Sequence, residues 1–600
     1  MAGSEDHDSL LRRIERQEKA IRRLEDRLLV IENSLFFRLL RRLGSLLLGW
    51  KGLLGQTLLR TPLHPLYVKF VRPKAALNLY QRWIATERAP AGELRRRPLI
   101  SIVMPVYNPR REWLEAAVDS VRRQSYDCWQ LCVCNDASAE RWVSAYFQSQ
   151  TDPRISFTDS PERLGISGAA NRAGQQAHGE YVGFLDQDDV LAPFALQAVA
   201  EAVQDAGADL LYSDEDRLNE SGQRVEPIFK PGWSPDLLLC CMYLAHFLVA
   251  RREALDRVGW LRPEYDGSQD YDLALRLTDG PARVRHIPAV LYHWRKHKDS
   301  TAANTGAKPY THARGKRALE DTVLRRGWNA SVEDGPLPNS YRVRRPVSGE
   351  SRVSIVICTR SPRLAGRVVR AIGRMTSYRN YEIVMVEHGI QTGLAVEAVP
   401  YSGPFHFARM NNLGAHKASG DILVFLNDDV VPLDTGWLTA LLAHAERPEV
   451  GVVGARLLYP SGAIQHAGKA IGIMDGSGHP HRGTFASAWW NWLPFTRNVA
   501  AVTGACLAIR HQVFDQLGGF DEAFLVNYND ADLCLRARAA GYEVIYEPDA
   551  VLRHEEGRTR TPGVRLEEIE LWEQRWGSWS DPFYSPHLTQ TREDAGLEVG

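Results

Sequence analysis

From about residue 98 the chain alternates short apolar runs with amphipathic stretches, in the order strand, turn, helix. PLISIVMPVYN reads as a buried strand running into a turn, and REWLEAAVDSVRRQ as a helix with one apolar face. WQLCVCNDAS follows as a second strand, and YVGFLDQDD as another that ends in carboxylates. Near residue 352 the order begins again with RVSIVICTRSP, RLAGRVVRAIGRM, YEIVMVEHG and DILVFLNDD. Apolar strands alternating with helices predict a mostly parallel sheet covered by helices on both faces, so the pattern predicts an α/β chain with two copies of one domain. The stretch DGPLPNSYRVRRPVSGE between the copies has the composition of a linker. The expected organisation is therefore a coiled coil at 1–35, a basic amphipathic helical segment at 36–95, a first domain at 96–330, a linker at 331–351, a second domain at 352–562 and a tail at 563–600.

The coiled coil rests on Leu10, Ile14, Ile21, Leu24, Leu28, Ile31 and Leu35, spaced by threes and fours with Gln17 as a polar intruder. Such a seam offers a route to a homo-oligomer. Next comes LFFRLLRRLGSLLLGWKGLLGQTLLR, rich in Leu, Phe and Trp and interrupted only by basic residues among its charged positions. No acid occurs between Glu32 and Glu87. A helix of this kind suits a bilayer interface, its apolar face immersed and its cations near anionic headgroups. No uncharged apolar run reaches the roughly 18 residues of a spanning helix. The start, MAGSEDHDSL, is acidic and polar, unlike a signal peptide. The expected location is the cytoplasm, peripheral on the inner face of the cell membrane.

Composition adds little beyond this: 44% apolar and 24% charged residues are ordinary for a globular protein. A formal net charge of zero gives no sign of a nucleic-acid partner. Eight cysteines without a C-x-x-C pair do not read as a zinc cluster, and Cys132 and Cys134 are expected to be buried small hydrophobes.

The candidate chemistry lies at the acidic strand ends. In an open parallel sheet, ligands bind outside the carboxyl ends of the strands. Asp186 and Asp188 in FLDQDD are two apart, so on an extended segment they point the same way. Two such carboxylates favour a hard divalent ion, Mn²⁺ or Mg²⁺, which also takes phosphate oxygens. The second copy offers Asn427 and Asp429 with Asp428 between them. Acidic residues also cap turns, which is a sufficient role for Asp189. Downstream, GSQDYDLALRL carries Asp270 and Asp272, and NYNDADLCLRA carries Asp530 and Asp532. At a helix start one aspartate of each pair can cap while the other points into the cleft and accepts a proton from a hydroxyl. Beyond them stand His293 and His297 in LYHWRKHKDST and His554 in AVLRHEEGR, each placed to serve as a metal ligand or phosphate donor.

The ordered set SIVMPVYN, CNDAS, FLDQDD, GSQDYDLALR and HWRKHKDST resembles family 2 glycosyltransferases of the GT-A fold, and SIVICTR, FLNDDV, TGACLAIR and YNDADLCLR repeat the resemblance. YSDEDRL, FKPGWSPDLL and IQHAG resemble the bacterial members that build O-antigen and capsule. The resemblance implies two tandem GT-A domains, a nucleotide-diphosphate sugar donor and a glycan or lipid-linked glycan acceptor. It implies that Val106, Tyr107 and Asp136 meet the nucleoside, that Asp186 meets ribose and metal, that Asp188 and His297 bind metal, and that Asp270 is the catalytic base of an inverting displacement. In the second copy it implies Asn427 for the donor, Asp429 and His554 for the metal and Asp530 for the base. There the expected acidic turn reads VEHGI, with Glu387 and His388, so the acid that contacts the nucleotide base is not evident. Two active sites are one reading; one active domain with a degenerate, glycan-binding partner is the other. A scaffold protein would leave both acid sets without a purpose. A nucleotidyltransferase would want a Gly-rich phosphate loop that VMPVYNP and VICTRSP do not provide.

Overall fold

A computed structural model describes residues 79–90, 92–204, 207–296, 309–474, 476–485, 492–555 and 565–598. The coiled coil expected at 1–35, most of the basic segment at 36–95, and His297 lie outside the described residues. Both expected domains fall within one compact unit, Tyr80–Gly600.

The first domain contributes β1 (Ile100–Val106), β2 (Trp129–Asn135), β3 (Ile155–Asp159), β4 (Tyr181–Phe184), β5 (Val190–Leu191), β6 (Leu210–Leu218), β7 (Arg224–Ile228), β8 (Val249–Arg251) and β9 (Val284–Arg295). Their order in the sheet is β3-β2-β1-β4-β8-β6-β9-β5, with β7 beside β6. Strands β1 to β4 pair in parallel, because helices at Arg111–Arg122 and Gly165–Gly174 carry the chain back between them. Strand β8 enters antiparallel between β4 and β6, so the sheet is mixed. Cys132 and Cys134 on β2 are fully buried in one apolar cluster.

A two-stranded hairpin of β10 (Ser331–Asp334) and β11 (Tyr341–Arg344) occupies the stretch between the domains. The second domain then builds β12 (Val353–Thr359), β13 (Tyr381–His388), β14 (Glu397–Tyr401), β15 (Ile422–Leu426), β16 (Val430–Pro432), β17 (Val450–Leu458), β18 (Ile464–His466), β19 (Ala470–Ile471), β20 (Ser477–Gly478), β21 (Arg497–Asn498), β22 (Cys506–Arg510) and β23 (Glu543–His554). The main order is β14-β13-β12-β15-β22-β17-β23-β16. Position for position this repeats the first sheet, so the duplication legible in the sequence is also a duplication of topology.

Strand β6 is buried at every position although it carries Asp214, Glu215 and Asp216. Each acid has a partner. Asp214 accepts the Lys230 backbone N–H at 2.8 Å and pairs with His286 Nε2 at 2.8 Å. Asp216 pairs with His293 Nδ1 at 2.6 Å and accepts from the Tyr80 hydroxyl and Arg224. Glu215 takes Lys230 Nζ at 3.2 Å and the His246 backbone N–H at 2.9 Å. His293 is thereby committed to the sheet interior.

The domains are joined by buried polar contacts. Asn498 on β21 accepts from Ser234 Oγ at 2.9 Å and from the Asp236 N–H at 3.1 Å. Arg447 Nη1 lies 2.5 Å from Asp236 Oδ1, with both side chains largely buried. Burial alone would raise the Asp236 pKa, but the Arg447 guanidinium holds it below the usual carboxylate range. The tail packs on the second domain and reaches the first. Glu568 accepts the N–H groups of Val526 and Asn527 at 2.7 and 2.9 Å. Gly232 N–H donates to Pro582 O at 2.7 Å, and the His587 ring lies 5.0 Å from that of Trp83. Removing one partner of a buried ion pair strands the other charge and typically costs about 3–5 kcal/mol. Arg447→Met is expected to lower the free energy of unfolding measured in urea by that order, and Asp236→Asn added to it should restore part of the loss.

Candidate active sites

A cavity of about 1010 Å³ opens at the carboxyl ends of β1, β2 and β4. Val106, Tyr107, Asp136, Asp186, Asp188 and Asp270 all line it. The residue between the two knot aspartates explains their direction. Gln187 clamps the loop after β1: its Oε1 accepts the Tyr107 N–H at 2.8 Å and its Nε2 donates to Tyr107 O at 3.0 Å. Asp189 is no surface cap. It is 1% exposed and accepts from the Tyr292 hydroxyl and the Arg295 N–H, each at 2.7 Å. Asp136 accepts the N–H groups of Leu164 and Gly165 at the start of the helix Gly165–Gly174, which fixes its carboxylate at the cavity wall.

The paired aspartates downstream divide their work differently from expectation. Asp270 lines the cavity, with one oxygen accepting the Tyr271 N–H at 2.9 Å. Asp272 does not cap the helix; it is fully buried between Arg262 and Arg276. Arg276 in turn donates to the carbonyls of Val258 and Trp260. In the second domain Asp532 pairs with Arg536, which donates to the carbonyls of Leu517 and Gly519. The D-L-x-L-R pattern is thus an i, i+4 clamp that seats each helix on the preceding loop, leaving the first aspartate of each pair for the cleft.

The second site keeps this plan and changes its charges. Asp428, the middle residue, is tied back to β12 by the Thr359 hydroxyl at 2.7 Å, and burial pushes its pKa up to about 6. Asp429 Oδ1 lies 3.2 Å from His554 Nε2. Asp530 is gripped by Lys469 Nζ at 2.9 Å and by the Gly504 N–H at 2.9 Å. Burial would raise its pKa, but Lys469 outweighs burial and holds it below the usual range. Glu387 folds onto its own loop, accepting the Thr392 N–H at 2.9 Å, and His406 rather than an acid caps the helix Phe407–Lys417. The strand registers sharpen the comparison of histidines. Val430 pairs with His554, and Leu191 with Tyr292. Aligning the two knots sets Leu191 with Pro432, which pairs with Leu552, so Trp294 stands where His554 does.

Two oxygen donors at a strand end, with room beside them for phosphate oxygens and water, fit Mg²⁺ or Mn²⁺ in the first site. Asp429 with His554 offers an oxygen–nitrogen pair in the second. Among the described residues no three metal-ligating side chains converge.

Two family models match, "Glycosyl transferase family 2" at residues 101–259 and "Glycosyltransferase like family 2" at residues 351–577. The chain belongs to glycosyltransferase family 2, with two of its domains in tandem. Over 554 residues, or 85% of the chain, it is 38% identical to the uncharacterised protein y4gI of Sinorhizobium fredii. Over 86% of the chain it is 36% identical to the O-antigen biosynthesis protein RfbC of Myxococcus xanthus. It spans 61% and 43% of those two relatives' own lengths. A solved structure of S. aureus TarS residues 1–349 with UDP-GlcNAc aligns to 38% of the chain and 66% of its own, at 16% identity and TM-score 0.32.

Two cations at these family 2 sites carry no motif in the sequence: Lys469, and in the first site His246. The His246 imidazole lies 3.3 Å from Glu215 Oε2 and stacks on Tyr292 at 4.4 Å. Burial would lower its pKa, but Glu215 and, further off, Asp186 and Asp189 raise it to about 9. Glu215, pushed up by burial, is brought down to about 2 by Lys230 and His246. Burial lifts Asp186 to about 6 against the pull of His246, and raises Asp270 as well. His246 is therefore the positive counterweight to a cluster of buried acids. Because its pKa rises from 6.5 to about 9 on folding, its stabilising contribution is complete below pH 6.5 and is lost as pH rises through about 9. The urea midpoint of the wild type should fall across that window, and His246→Gln should flatten the fall; equal slopes would contradict the assignment.

Proposed function

We propose that the chain transfers sugars from nucleotide-diphosphate donors to a growing, lipid-linked bacterial surface glycan, with an inverting, metal-dependent site in each domain. The observation that carries this reading is the shared cavity of Asp186, Asp188 and Asp270 at the strand ends. Similarity to an O-antigen biosynthesis protein supports the product class. Val106, Tyr107 and Asp136 would contact the nucleoside, and Asp186 the ribose. Asp186 and Asp188, with His297, would hold Mn²⁺ or Mg²⁺, which when bound supplies Lewis-acid neutralisation of the leaving diphosphate. Asp270 takes the proton of the acceptor hydroxyl as that oxygen attacks the anomeric carbon from the face away from the diphosphate, a single displacement that inverts configuration. Its raised proton affinity suits that task. In the second domain Asn427, Asp429, His554 and Asp530 would take the corresponding places.

The Lys469–Asp530 pair favours a second reading, in which that domain holds glycan rather than transferring sugar. Screening nucleotide sugars against the single variants decides between them. Asp270→Asn and Asp530→Asn should each lower kcat by about 10²–10⁴-fold for different products. EDTA should stop both reactions and Mn²⁺ or Mg²⁺ restore them. If Asp530→Asn leaves every product untouched, the second domain is a binding module.

The basic apolar segment at 36–95 supports attachment to the inner face of the cell membrane, where lipid-diphosphate acceptors reside. Deleting residues 1–75 should release the protein from anionic liposomes while metal-dependent turnover of donor persists; liposome binding equal to wild type would refute this.

A further inference from the structure

The wall of the first cavity is not made by the first domain alone. Trp492 and Phe495, which belong to the second domain's sequence, line it together with Asp270. Phe495 is buried within an apolar cluster made mostly by first-domain residues, among them Tyr243 and Tyr271, together with Tyr341 of the hairpin between the domains. Trp492 is half-buried, with its ring 6.1 Å from that of Tyr243 and nearly perpendicular to it.

This segment is anchored from both sides. On its own domain, the Tyr546 hydroxyl donates to Leu493 O at 3.2 Å, Thr496 Oγ1 donates to Glu547 at 2.8 Å, and Arg497 Nη1 donates to Trp492 O at 3.0 Å. Strand β21 then pairs with β23. Toward the first domain, Cys240 Sγ donates to Thr496 O, and Asn498 bonds Ser234 and Asp236. The aromatic pair is thus held by a bonded frame.

Its position within the cavity indicates what it would meet. Trp492 meets Tyr243, and Thr496, next to Phe495, is bonded by Cys240, whose carbonyl accepts the Tyr341 N–H at 2.8 Å; Tyr341 in turn stacks at 5.9 Å on Tyr271, the residue next to the candidate base. Gln269, Arg314 and Asn339 add hydrogen-bonding groups along the same cavity. Aromatic faces with a few polar groups around them suit a ligand whose rings are apolar on their faces and hydroxylated at their edges, which describes a saccharide.

We propose that Trp492 and Phe495 form an acceptor-glycan platform that the second domain supplies to the first domain's active site, so that the first site is complete only with both domains present. The proposal rests on the reading of the first cavity as a glycosyltransferase site and deepens it. Saturation-transfer NMR on the full chain tests it with a panel of neutral tetrasaccharides (β-glucan, chitin, mannan and rhamnan types). At least one should bind the wild type. Trp492→Ala should weaken that binding about tenfold or more, while Trp492→Phe, which keeps a ring, should stay within about threefold. A thermal melt close to wild type for Trp492→Phe guards against misfolding as the cause. Binding of no panel member, or equal binding by Trp492→Ala, would overturn the platform. Saccharide binding is read without donor or turnover, so its failure is separable from a failure of the transferase reading, which would appear as turnover indifferent to Asp270→Asn.

Discussion

A carboxylate removed from water must meet a cation, a proton or a ring of N–H donors, or the fold that buries it loses several kcal/mol. This chain places acids at the ends of buried strands twice, and the surrounding structure is arranged around their compensation. In the first domain His246, itself held by Glu215 and Lys230, faces Asp186 and Asp270. Among the described residues no Lys or Arg forms an ion pair with Asp270, whose proton affinity rises with burial. In the second domain Lys469 sits directly on Asp530, and His554 directly on Asp429. One topology thus yields two electrostatic states: a carboxylate biased toward taking a proton, and one biased toward remaining ionised.

The sheet follows from the same economy of burial. Strand β6 carries three acids through the interior, and their partners come from every side: Lys230 and His246 on one, His286, His293, Arg224 and Tyr80 on the others. These pairings tie residue 80, the sheet and the cavity wall into one polar network. Arginine clamps on Asp272 and Asp532 seat the helices that present Asp270 and Asp530. Ion pairs thus join the buried apolar faces of these helices in placing the two aspartates.

Much of this was legible in the sequence, for identifiable reasons. Strand runs and acidic knots follow periodicities of two and of strand–helix alternation, and both survive in the sheet order and in the direction of Asp186 and Asp188. The expectation that one aspartate of each pair caps its helix does not hold for Asp272, because capping is a local rule whereas Arg262 reaches it from outside the helix. The i, i+4 partner Arg276 was visible in DLALR and could have signalled the clamp. His246, Lys469 and Trp492 were not legible, since each acquires its place through contacts from distant segments that no periodicity encodes. The antiparallel insertion of β8 was equally silent, being a three-residue strand.

The dependence of the first cavity on Trp492 and Phe495, and of the first sheet's surroundings on Pro582 and His587, has a consequence for how the protein is made. Domains generally fold from the N-terminus as the chain leaves the ribosome. Here the first domain can assemble its sheet early, but its cavity wall stays unfinished until residues beyond 490 have been synthesised, and the bond to Pro288 until His587 has emerged. The two halves therefore share a birth order as well as a fold: the first acquires its complete surface only once Trp492 and Phe495 of the second and His587 of the tail have been translated.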